Sequence, residues 1–138
     1  MKKIFFLLFC IFSQNAFSLS LDCKEPAVFE NEITEEIVEW HYSFGDFYIF
    51  EEGVLIEAII KPKIEGNKFS GLVINIIENG SVKYSFDPAT RISEKSIVAS
   101  LVSQKKLLSN HQFIITYSDK EYCPTVIYRY TGRIPEKK

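Results

Sequence analysis

The chain has 138 residues, a formal net charge of −2 and 46% apolar residues, enough for one compact core and too short for two ordinary domains. Its 18 acidic residues outnumber 16 Lys and Arg, and no cationic cluster stands out. That argues against nucleic-acid binding, which needs gathered positive charge to neutralise phosphates.

At the N-terminus, Met1, Lys2 and Lys3 precede an uncharged apolar run from Ile4 to Phe12, and the small residues Ala16 and Ser18 follow. Basic start, apolar centre and small-residue exit in this order predict a cleavable signal peptide over 1–18, cut after Ser18 or Ser20. The apolar run is short against the ~20 residues a membrane-spanning helix needs, so no membrane anchor is expected after cleavage. Cys10 follows Phe9 and Cys23 follows Asp22, and neither context suits lipid attachment. The expected address is periplasmic or secreted. Loss of Lys2 and Lys3 takes the net charge from −2 to −4. The mature chain keeps Cys23 and Cys123, an even pair suited to an oxidising compartment, and they are expected to form a disulfide that ties the two ends together.

Ile33 to Trp40 has apolar residues at 33, 37 and 40 and is read as opening with one helical turn. From Val38, apolar Trp40, Tyr42 and Phe44 alternate with Glu39, His41 and Ser43, the period of a half-buried strand, which Gly45-Asp46 is expected to end. Phe47 to Phe50 follows, then Glu51-Glu52-Gly53 as a turn, then a β-branched strand from Val54 to Ile60 that Lys61-Pro62 stops. Glu65 to Lys68 reads as a turn and Phe69 to Ile77 as a strand buried on both faces. Asn79-Gly80 is the strongest local signal, a tight hairpin turn returning through Val82, Tyr84 and Phe86 to Asp87-Pro88.

Arg91 to Asn110 reads as a strand over 96–102 plus a one-turn helix over 104–108, with one longer helix as the alternative; serines at 96, 100 and 103 favour the first. Phe113 to Tyr117 and Thr125 to Tyr130 complete the strands, and 133–138 is a charged tail expected to be disordered. Seven to nine short antiparallel strands with one or two helical turns predict an all-β fold over 19–132, a sandwich or a small barrel, of which the sandwich is preferred. The strand spacing resembles that of bacterial immunoglobulin-like domains, without their Cys-Trp-Cys core signature.

Catalytic and metal patterns are thin. His41 and His111 stand apart, outside any His-x-His or His-Glu-x-x-His spacing, and both are expected at the surface, His111 in a turn after Ser109-Asn110. The pairs Glu35-Glu36 and Glu51-Glu52 are adjacent in sequence, so on strands they point to opposite faces and are poorly placed to share a proton. No enzyme activity, metal or cofactor is therefore expected.

Six aromatic residues between 40 and 50 are the one local feature that suggests binding. Trp40, Tyr42 and Phe44 share one strand face and are read mainly as core. The candidate partner surface is Trp40, His41, Tyr48, Glu51 and Glu52. The leading expectation is a non-catalytic interaction module, inhibitor- or immunity-like, that binds an envelope or secreted protein. The alternatives are a structural subunit of a surface fibre or secretion apparatus, and a small-ligand carrier or enzyme.

Overall fold

The structure is a computed structural model that describes residues 23–32, 35–48, 50–120 and 123–133. The expected signal peptide, its cleavage points and nearly all of the charged tail lie outside the described residues.

The chain is mostly β, with two sheets and a single 3-10 turn among the described residues. One sheet has four strands in the order β2 (Val38–Phe47), β3 (Phe50–Ile60), β8 (Ile97–Gln104) and β7 (Ala89–Ile92). The other has six, in the order β1 (Ala27–Glu30), β10 (Cys123–Gly132), β9 (His111–Lys120), β5 (Asn67–Glu78) and β4 (Lys63–Ile64), with β6 (Ser81–Phe86) also on β5. The described residues therefore form ten strands where seven to nine are expected. The additions, β1, β4 and β7, have four residues or fewer, too few for periodicity to declare them.

The two sheets share one core. Val54, Ile56, Ala58 and Ile60 of β3 and Ile97 and Ala99 of β8 meet Leu72, Ile74 and Ile76 of β5 and Phe113, Ile115 and Tyr117 of β9. Each set recurs at every second residue, as the pleat requires when one face is buried. Trp40, Tyr42 and Phe44 pack against this core, as their alternation suggests. The Trp40 ring lies over Phe113, with centroids 3.7 Å apart.

The Asn79-Gly80 turn forms as read: φ is 52° and 77°, and β5 pairs with β6 across it. Glu65-Gly66 makes a similar turn, with φ of 46° and 83°. Over 96–110 the strand-plus-short-turn reading holds, with β8 running into a 3-10 turn at Lys105–Leu108 anchored by the buried Leu108.

Five expectations are corrected. Gly45-Asp46 and Glu51-Glu52-Gly53 are not turns; they lie inside β2 and β3, and Gly45 pairs with Gly53. The reason is steric: a Cβ on Gly53 would come 2.6 Å from Phe47 Cδ2 and 3.2 Å from the Gly45 carbonyl, so glycine here permits close approach. The helical turn before Trp40 is only a hydrogen-bonded turn over the described 35–37. Not every strand is antiparallel, because β1 runs parallel to β10 with Ala27 opposite Val126. The disulfide explains the direction. Cys23 lies just before β1 and Cys123 heads β10, with Cα atoms 5.3 Å apart, so both strands leave one anchor the same way. Finally, His111 is 1% exposed, not a surface residue of a turn.

Candidate interaction surface

The β2–β3 hairpin closes between Phe47 and Phe50, a paired set flanking two residues, the first of which is Tyr48. A two-residue hairpin loop favours positive φ, which is why Asn-Gly suits it and why a bulky residue there is strained. Tyr48 adopts φ of 35°. For a non-glycine residue this costs on the order of 1 kcal/mol or more. Nothing is recovered by burying the ring, because Tyr48 is fully exposed, at 108% of its reference area. Strain and exposure together at one aromatic residue are what a contact loop shows and what a turn serving only the fold avoids.

Around this tip, Asp46 is the extra residue of a β-bulge between Gly45 and Phe47, and it is exposed. Glu51 and Glu52 begin β3 and line a cleft of about 260 Å³ with Gln104 and Lys106. The neighbouring Lys105 ammonium sits 5.3 Å from the Phe44 ring centroid, within cation–π range. The 3-10 turn thus brings Lys106 beside Glu51 and Glu52 and Lys105 over Phe44.

Of the five residues expected at a partner surface, Tyr48, Glu51 and Glu52 come together at this tip. The other two do not. The half-buried Trp40 points into the core. His41 is exposed on the outer face of the four-stranded sheet, 3.0 Å from the Glu39 carboxylate, well down the strand from the tip.

His111 opens β9, at the same end of the molecule as the tip. Its Nε2 is 3.2 Å from the Tyr42 hydroxyl, and its ring meets Phe113 edge-on at 4.4 Å. Nδ1 is buried without a hydrogen-bond partner of good geometry. Burial pushes the imidazole down from 6.5 to about 4, partly opposed by the Leu108 backbone. Burial, then the neighbouring Tyr130, raises the Tyr42 phenol well above its ordinary value. The pair is therefore neutral near pH 7 and built into the core. Among the described residues, no group of three or more His, Cys, Asp or Glu side chains is placed to hold a metal ion.

A second concave region was not legible in the sequence. At the far end of the molecule, Lys68, Ser70, Thr116, Ser118, Lys120 and Pro124 line most of a cleft of about 570 Å³ on the outer face of the six-stranded sheet. Thr116 and Ser118 alternate with core residues Ile115 and Tyr117, a period-two hydroxyl pattern that would have been the sequence signal.

No protein-family model, curated protein or solved structure matches the chain.

Proposed function

We propose that the chain is an exported, non-catalytic interaction domain of immunoglobulin-like sandwich architecture, which seats the Tyr48 ring in a pocket of an envelope or secreted protein partner, as inhibitors and immunity proteins do. The observation that carries the reading is Tyr48 itself, fully exposed on left-handed backbone at a hairpin tip. Tyrosine is favoured as an interface anchor because a rigid ring with a polar end covers much area at small entropic cost. Glu51 and Glu52 beside it offer acceptors for the rim of such an interface.

The architectural part is supported by strand order. The sheet β2-β3-β8-β7 follows the A-B-E-D order of immunoglobulin domains, and β10-β9-β5 follows G-F-C. The Cys23–Cys123 bridge departs from that pattern, since it ties the first described segment to β10 instead of joining the two sheets. Export is supported by the order of features in residues 1–18 and by the oxidised cysteine pair.

The test is Tyr48→Asn, which supplies the residue this turn prefers. The variant is expected to melt slightly higher than the parent, by the equivalent of about 0.5–1 kcal/mol. In affinity capture from envelope extract it is expected to lose, by about thirtyfold or more, the stoichiometric partner that the parent retains. Equal retention of that partner, or no stoichiometric partner for the parent, overturns the reading.

A further inference from the structure

The hydroxyl-lined cleft on the six-stranded sheet stands apart from the hairpin. Two bulges shape it. On β5 the register jumps from Phe69, opposite Tyr117, to Gly71, opposite Thr116, leaving Ser70 as the extra residue. On β10 it jumps from Pro124, opposite Ser118, to Val126, opposite Tyr117, leaving Thr125 extra. Both neighbours of β9 therefore bulge at one level, a device that bends strands and re-aims side chains next to functional sites. Gly71 keeps the floor low, since a Cβ there would meet Thr116 Oγ1 at 3.2 Å.

The floor's hydrogen bonds run one way. Ser118 donates to Ser70 at 2.9 Å, Ser70 to Thr116 at 3.2 Å, and Thr116 to the Gly71 carbonyl at 3.3 Å. A hydroxyl has one donor and two acceptor positions, so this relay uses the donors of all three hydroxyls and leaves each oxygen with at least one acceptor position to spare. Lys68 and Lys120 also line the cleft and add ammonium donors, and the Asp119 carboxylate lines it as a further acceptor. A matching ligand carries several hydroxyl donors for the floor and an anionic group for the lysines. About 570 Å³ lies within the range of small-ligand sites.

From this complementarity we infer that the cleft binds a short acidic oligosaccharide, its sugar hydroxyls donating to Ser70, Thr116 and Ser118 and its carboxylate held by Lys68 and Lys120. A neutral sugar lacks the charge-assisted contacts, and a simple polyanion lacks the hydroxyl donors.

The experiment titrates ¹⁵N-labelled protein with trigalacturonate and with digalacturonate, using a neutral galactose trisaccharide and tripolyphosphate as comparisons. Saturable amide shifts over 68–71 and 116–120 are expected with at least one acidic sugar. Both comparisons should bind about tenfold more weakly or worse. The Lys68→Gln, Lys120→Gln double variant is expected to lose about tenfold at unchanged melting temperature, and Ser70→Ala severalfold. Absence of localised shifts with both acidic sugars at about 10 mM, weaker than any useful site, overturns the inference. Equal binding of tripolyphosphate reduces the cleft to an undifferentiated cationic patch and overturns it, and equal binding of the neutral sugar removes the acidic requirement and does the same. Tyr48→Asn leaves these titrations unchanged, so this inference and the hairpin reading fail separately.

Discussion

The buried imidazole of His111 should make the fold acid-sensitive by an amount the structure sets. In the unfolded chain the ring titrates near 6.5, whereas burial between Tyr42 and Phe113 brings it to about 4. The sign follows from proton uptake. Between these two values the unfolded chain binds a proton that the folded one refuses, so stability falls as pH drops through this window. Above 6.5 the contribution is flat, and below about 4 both states are protonated and the loss is complete. The gap of about 2.5 pH units, at about 1.4 kcal/mol each, amounts to about 3 kcal/mol. At 1% exposure the side chain has little solvent to soften this, and the loss is a large part of the ~5–15 kcal/mol that holds a domain together. Urea unfolding followed by the fluorescence of the single tryptophan, Trp40, from pH 7.5 to 4, measures it. His111→Gln, which keeps a side-chain amide facing Tyr42, serves as the non-titrating reference, and the difference between the two proteins cancels every other titrating group. A parent-minus-variant difference that stays constant across the window would refute the reasoning, as would a His111 ring resonance that titrates near 6.5.

Two further outcomes follow from the packing. Replacing both Cys23 and Cys123 by serine opens a bridge spanning 100 residues and is expected to cost about 2–5 kcal/mol in denaturant unfolding, with amide protection lost first over Ala27–Glu30; a loss under about 1 kcal/mol with β1 protection intact contradicts this. Gly53→Ala forces a Cβ against Phe47 and the Gly45 carbonyl and should destabilise by about 1–3 kcal/mol in thermal melts, while Gly45→Ala, with open space at its Cβ, should change little; equal effects contradict the close-approach argument.

Local chemistry carried much of the fold into the sequence, and contacts between distant residues carried the rest. Asn79-Gly80 declared its hairpin because the turn conformation depends only on those two residues. Gly45 and Gly53 look like turn residues for the same reason, yet their purpose is set by where the Phe47 ring lies, which no local pattern reports. His111 follows Ser109-Asn110 and resembles a loop residue. Its burial is decided by Tyr42, 69 positions away. The hairpin tip was half legible. Tyr48, Glu51 and Glu52 were singled out from composition, but Trp40 belongs to the opposite face of its strand, and the strained backbone at Tyr48 is visible only in three dimensions. The hydroxyl cleft leaves only the alternation of Thr116 and Ser118 with core residues in the sequence, because its shape depends on two bulges meeting across β9.

The parallel strand β1 has a consequence for how the molecule meets its neighbours. β10 would otherwise border the six-stranded sheet, presenting free N–H and C=O groups along a ten-residue length to any passing extended chain. Four residues held in place by a covalent bridge cover the middle of that border, from Val126 to Arg129. The disulfide therefore also acts as a latch, holding β1 over backbone groups with which an extended chain could otherwise pair.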